Sequence, residues 1–204
     1  PEVAYVLDNS SARVVFVGEG FAEVLSAIRP DCPHVEQVIG IDAPDFAGTD
    51  YRIWRDGFPP TPPAHRVRAE DDALQLYTSG TTGKPKGAVM THGSILSSRD
   101  ATQAADEMRT WQEPIPGDVT LLAMPCFHIS GTGTGIGTMV AGTNAIVLPE
   151  YDPTKALDLI ANFNISKIFL VPAAIQILLN HPRVSETDFS RLKYITYGAS
   201  PIPL

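Results

Sequence analysis

The densest chemistry in this chain lies between Tyr77 and His92, which read YTSGTTGKPKGAVMTH. Thr78, Ser79, Thr81 and Thr82 surround Gly80 and Gly83, and Lys84, Lys86 and Gly87 follow. Hydroxyls and glycine N–H groups at this density suit a loop that wraps a polyphosphate. Glycine lets backbone approach an anion closely, successive N–H groups can converge on one anion, and lysine adds mobile positive charge. Pro85 fixes its own φ between the two lysines and limits the freedom of the loop. The run is not a Walker A loop, which needs a longer interval between its glycines and a Lys-Ser/Thr pair after them. Here only Thr81 and Thr82 separate Gly80 from Gly83, and Pro85 follows Lys84.

Three later segments carry further candidates. Residues 125–131 read PCFHISG. His128 offers an imidazole that can donate or accept a hydrogen bond. Cys126 and His128 stand two apart, but no C-x-x-C or H-E-x-x-H pattern accompanies them, so a metal site is not expected. The glycines of residues 131–137 (GTGTGIG) miss the dinucleotide spacing and read as allowing a helix to pack closely. Residues 197–201 (YGASP) follow a strand with small residues that leave the backbone open to close approach. Ser200 is not in a G-x-S-x-G elbow, because Ile202 stands where the second glycine would be.

The order of these segments resembles the adenylate-forming superfamily of acyl-CoA ligases, luciferases and peptide-synthetase adenylation domains, and most of all a fatty-acid–CoA ligase. That family's TSG[ST]TG and PKG runs correspond to residues 78–83 and 85–87. The resemblance implies ATP and coenzyme A as co-substrates, a carboxylic acid as the group activated, and Mg²⁺ as cofactor. Thr78, Ser79, Gly80, Thr81, Thr82 and Gly83 would hold the β- and γ-phosphates. Lys86 would add charge ahead of the more variable Lys84, and Thr78 or a neighbouring hydroxyl would touch Mg²⁺. The family's P-x-F-H-x-x-G run implies that His128, Ser130 and Gly131 line the carboxylate pocket. By the same resemblance Gly198, Ala199 and Ser200 flank adenine, while Tyr197 and Gly198 line the acyl pocket. Pro172, in Val171-Pro172-Ala173, matches a position near the acyl pocket, and core packing explains it equally well. The resemblance further implies that Lys86 and His128 would assist catalysis, and that the family's catalytic lysine, in a C-terminal domain, is expected to lie outside this chain.

The family also separates substrates at Phe127-His128. Amino-acid-activating domains place Phe-Asp there, and the Asp pairs with the substrate's α-ammonium. A histidine is a poor partner for that group, so a fatty or aryl acid is expected. Amino-acid activation, luciferase-like oxidation and a non-catalytic nucleotide-binding module stand as alternatives.

These segments need elements to hold them, and the pattern supplies an α/β fold with largely parallel sheets flanked by helices. Residues 12–18, 35–41, 74–78, 88–91, 119–124, 145–148, 167–171 and 192–197 read as strands, short and rich in β-branched residues. Helices are expected over residues 1–7, 21–28, 94–108, 131–141, 153–163 and 173–180. Asp152 and Pro153 form a helix start, and Pro30 helps end the second helix. The interval between 74–78 and 88–91 predicts a hairpin that carries the phosphate loop. Thr78, His128, Pro172 and Gly198 all follow strands, where ligands of parallel sheets gather. Residues 42–72, rich in Pro, Asp and Gly, are expected to be irregular. A division follows: residues 1–72 as a partial N-terminal subdomain with a Pro-rich connection, and 73–204 as a truncated ATP- and acyl-binding subdomain. Both ends look internal to a longer protein, so the chain alone is expected not to complete adenylation.

The formal net charge of −8 argues against a nucleic-acid surface. Cys32 and Cys126 are the only cysteines, so no disulfide framework is expected. No signal peptide and no membrane-length apolar run is visible, and the expected location is the cytoplasm.

Overall fold

The computed structural model describes residues 2–42, 48–78, 83–97 and 114–201. Ser79, Gly80, Thr81 and Thr82 lie outside the described residues, as does most of the helix expected over 94–108. The chain forms two compact units, Pro1–Ser98 and Arg99–Leu204.

In the first unit, α1 (Glu2–Asn9) leads into β1 (Val14–Gly18), then α2 (Ala22–Ile28) and a single 3-10 turn at Arg29–Asp31. β2 (Gln37–Ile41) and β3 (Thr49–Asp50) complete a parallel sheet in the order β1-β2-β3. Val17, Leu25, Cys32, Val35 and Ile39 are buried hydrophobic residues of this unit. The 42–72 segment is less irregular than its composition suggests, because it contains β3 and a helix, α3 (Tyr51–Asp56). Asp50 starts that helix by accepting hydrogen bonds from the N–H groups of Arg52 and Ile53. Trp54 then packs edge-on against Phe16, ring centroids 5.3 Å apart. Six residues are too few to show a hydrophobic period, so the tertiary aromatic contact, and not propensity, explains the helix.

β4 (Asp72–Thr78) and β5 (Lys86–Thr91) form the expected antiparallel hairpin, with Thr78 opposite Lys86 and Tyr77 opposite Gly87. Residues 92–97 begin α4.

The second unit is built on four parallel strands, β6 (Val119–Leu122), β7 (Asn144–Val147), β8 (Lys167–Leu170) and β9 (Tyr194–Tyr197), in the order β7-β6-β8-β9. The intervening helices are α5 (Ile129–Ala141), α6 (Pro153–Asn162) and α7 (Pro172–Leu179). Asp152 caps α6, its carboxylate accepting from the N–H of Thr154 at 2.8 Å and of Lys155 at 3.1 Å. α5 ends at Gly142, whose φ of +65° suits glycine. Leu121, Leu157, Ile160, Ile165, Ile168, Leu170 and Leu178 form the core between sheet and helices.

The first connection runs from β6 outward to β7, whereas the next crosses to β8 on the other side of β6. Right-handed crossovers in opposite directions put their helices on opposite faces. The chain order therefore reverses between β6 and β8, and ligands of such sheets gather in the crevice outside the carboxyl ends of the strands at that point.

Below the opposite edge of this sheet lies a buried ion cluster. Asp118 is only 2% exposed and its carboxylate takes the Lys167 ammonium at 2.7 Å and the Lys193 ammonium at 2.6 Å. Burial alone would raise the Asp118 pKa. The hydrogen bonds from Lys167, Lys193 and the Ile115 N–H outweigh it and hold the carboxyl well below the usual range. Three neighbouring strands, β6, β8 and β9, are thereby tied together at their amino ends.

Candidate functional site

Thr78 and Lys86 close the base of the glycine loop, with the Thr78 hydroxyl 3.4 Å from the Lys86 carbonyl oxygen. Both side chains are exposed. Lys86 has no carboxylate partner among the described residues, whereas the Lys84 ammonium lies over the Tyr5 ring, 5.2 Å from its centroid. Gly83 sits at φ +97°, a conformation that glycine adopts freely. The hairpin also touches α1. The Tyr5 hydroxyl donates to the Pro85 carbonyl at 3.2 Å, and the Tyr77 hydroxyl donates to Asn9 Oδ1 at 2.8 Å. Gln75 Nε2 donates in turn to the Tyr77 hydroxyl at 3.0 Å. A Cβ at Gly87 would collide with the Gln75 side chain, so this glycine keeps the Gln75–Tyr77 bond possible.

In the second unit His128 stands at the carboxyl end of β6, beside the crevice. Residues 125–128 turn sharply, the His128 N–H donating to the Pro125 carbonyl at 3.1 Å. His128 is the N-cap residue of α5, yet its ring makes no capping bond. The ring is exposed and lies against Phe127, centroids 4.8 Å apart. Two contacts set this turn. The Thr132 hydroxyl donates to the Cys126 carbonyl. Gly131 is buried under the end of the strand, where a Cβ would sit 2.6 Å from the Pro125 carbonyl carbon and collide with the Met124 and Pro125 oxygens. Ser130 lies in the first turn of α5, its carbonyl accepting from the Thr134 hydroxyl at 2.6 Å.

Pro172 follows β8 on the other side of the crevice and is buried as the first residue of α7. Tyr197 ends β9, 53% exposed. Gly198 lies over Phe169, whose ring carbons would be 3.4 and 3.5 Å from an added Cβ. Ala199 has φ +72°, strained for a residue with a side chain, and Ser200 is exposed. Each unit thus presents its own set: Thr78, Gly83 and Lys86 on the hairpin, and His128, Ser130, Gly131, Pro172, Tyr197, Gly198, Ala199 and Ser200 along one edge of the parallel sheet. Tyr5, Asn9, Thr132 and Phe169 stand behind these residues. No motif marks Tyr5, Asn9 or Phe169, because their contacts are tertiary, and in the glycine-rich run the hydroxyl of Thr132 gives no sign of its bond to the Cys126 carbonyl.

A group of three or more His, Cys, Asp or Glu able to hold a metal is absent among the described residues. Mg²⁺ does not need one, since it keeps its waters and binds through one or two protein oxygens together with substrate phosphates. The exposed Thr78 hydroxyl fits that manner of binding.

A family profile described as AMP-binding enzyme matches residues 1–204. The chain belongs to the AMP-binding enzyme family. Across 203 residues it is 34% identical to the fatty acid–[acyl-carrier-protein] ligase ScoC of Streptomyces coeruleorubidus, a match covering 99% of this chain and 37% of that protein. It is 31% identical over 204 residues to the long-chain-fatty-acid–CoA ligase FadD13 of Mycobacterium tuberculosis, covering 100% of this chain and 38% of that one. The N-terminal domain of FACL13 from Mycobacterium tuberculosis superimposes with a TM-score of 0.82 at 31% identity, covering 100% of this chain and 48% of that structure. The anthranilate CoA ligase AuaEII, solved with anthranoyl-AMP, gives a TM-score of 0.85 at 25% identity, covering 100% and 39%. The fold is the α/β fold of the N-terminal domain of these AMP-binding enzymes, and the chain spans less than half the length of each relative. Among the described residues no helix is long and apolar enough to cross a membrane.

Proposed function

We propose that the intact protein is an AMP-forming acid–thiol ligase that activates a fatty or aryl carboxylate. The observation that carries this reading is the succession, in one AMP-binding chain, of a hydroxyl- and glycine-rich run between two hairpin strands and a Phe-His turn at the carboxyl end of β6, where the strand order reverses.

In the first half-reaction a carboxylate oxygen attacks the α-phosphorus of ATP, the bond to pyrophosphate breaks, and pyrophosphate leaves. Residues 78–83 hold the β- and γ-phosphates through hydroxyls and backbone N–H groups, and Lys86 offsets the charge that builds on the leaving group. Thr78 would hold Mg²⁺, which when bound neutralises phosphate charge. His128, Ser130 and Gly131 receive the carboxylate, and the exposed His128 ring can donate to it. Gly198, Ala199 and Ser200 lie against adenine, with Tyr197 and Pro172 toward the acyl group. In the second half-reaction a thiol sulfur attacks the acyl carbon, a thioester forms, the thiol proton is lost to solvent, and AMP leaves. Coenzyme A is the favoured thiol. A carrier-protein thiol is the second reading, supported by the 34% identity to an acyl-carrier-protein ligase.

Pyrophosphate exchange into ATP by the full-length protein tests this reading. Exchange dependent on fatty or aryl acids is expected, with thioester formation on adding coenzyme A. Equal exchange with α-amino acids would refute the substrate class. ATP binding with no exchange for any acid would leave a non-catalytic nucleotide module.

A further inference from the structure

We propose that α1 is a brace for the phosphate loop, with Tyr5 and Asn9 as positioning residues for bound ATP. Tyr5 and Asn9 are separated by one helical turn and so lie on the same face of α1. One touches each side of the loop. Asn9 accepts from Tyr77, the residue before Thr78 on the strand entering the loop. Tyr5 donates to Pro85, the residue before Lys86 on the strand leaving it. The contacts span 68 and 80 residues of sequence, so they are tertiary choices and not by-products of local geometry.

The network is continuous. Tyr77 gives its hydroxyl proton to Asn9 and accepts from Gln75, and Gln75 crosses over Gly87 on the opposite strand. The glycine of the Pro-Lys-Gly run thus serves the brace. A two-stranded hairpin alone is only marginally stable in water, yet a loop that presents N–H groups to phosphate works best when ordered beforehand. The brace also sorts the two lysines. Tyr5 holds Lys84 over its ring, which leaves Lys86 as the cation directed to the nucleotide.

The inference rests on the proposed role of the loop in binding ATP, and the experiment separates the two ideas. In the full-length protein, Tyr5→Phe removes only the hydroxyl, and Tyr5→Leu removes the ring as well. Mg·ATP affinity is measured by calorimetry, KM for ATP and for the carboxylate by pyrophosphate exchange, and amide hydrogen exchange of residues 83–87 by mass spectrometry. Tyr5→Phe is expected to weaken Mg·ATP about fivefold, the net worth of one neutral hydrogen bond. Tyr5→Leu weakens it further. In both, amide exchange at residues 83–87 quickens and KM for the carboxylate stays within twofold. Reduced thermal stability with unchanged ATP affinity and unchanged amide exchange would make α1 a packing element only and overturn the proposal. If the wild-type protein binds no ATP, the proposed function fails. The amide exchange then decides the brace by itself: faster exchange in Tyr5→Phe supports it, and unchanged exchange refutes it.

Discussion

Substituting Gly131 by alanine puts the positioning of His128 to a quantitative test. A Cβ there would stand 2.6 Å from the Pro125 carbonyl carbon, where ordinary contact begins at 3.4 Å. The obstacle is backbone, so it cannot rotate away; the first turn of α5 and the 125–128 turn must part by roughly 1 Å, and a misplacement of that size can cost about a hundredfold in rate. Alanine is otherwise the better helix former by about 1 kcal/mol. Gly137, in the same helix, supplies the control, since its added Cβ would meet nothing within 4 Å. Pyrophosphate exchange by the full-length protein should show kcat/KM for the carboxylate falling about a hundredfold in Gly131→Ala and staying within twofold in Gly137→Ala. KM for ATP should change little in either. Gly131→Ala at wild-type activity would refute the argument that the α5 docking contact sets the His128 ring.

Two further outcomes follow from charge. Lys86→Ala should weaken Mg·ATP by about tenfold or more, the worth of a charge-assisted hydrogen bond, whereas Lys84→Ala should cost only about threefold, because that ammonium rests on an aromatic ring; equilibrium binding measures both. Asp118→Asn leaves the 10%-exposed Lys167 without its carboxylate, a loss of about 3–5 kcal/mol for a broken buried pair. It should speed amide exchange through β6, β8 and β9. Because the Asp118 pKa is lowered on folding, its contribution is present in full above its unfolded pKa of about 4, declines below that value, and is lost as pH falls through the lower folded value. Wild-type protein should therefore show an acid-dependent rise in exchange at these strands that Asp118→Asn lacks.

The sheet-forming runs were legible because β-branched residues crowd between turn signals, and the α6 start was legible because Asp152 and Pro153 leave a local signature. The hairpin followed from the distance between its two strands. α3 was hidden, since six residues stabilised by the Phe16–Trp54 contact carry no periodic signal. The candidate site divides in the same way. Thr78, Lys86 and His128 stand in ordered motifs whose residue types suit phosphate and carboxylate chemistry. Tyr5, Asn9, Thr132 and Phe169 act through contacts with distant segments or through backbone carbonyls, and an ordinary tyrosine or threonine announces neither. Gly131 shows a motif residue with a second reason: its missing side chain lets α5 dock on the end of β6.

The central claim, that the carboxylate oxygen attacks the α-phosphorus, is tested most directly by isotope transfer. The full-length protein is given a fatty or aryl acid labelled with ¹⁸O in its carboxylate, together with Mg·ATP and coenzyme A, and the AMP and pyrophosphate are weighed by mass spectrometry. Adenylation predicts one ¹⁸O carried into AMP and none into pyrophosphate. Thioester formed with unlabelled AMP, or label appearing in inorganic phosphate, would contradict it.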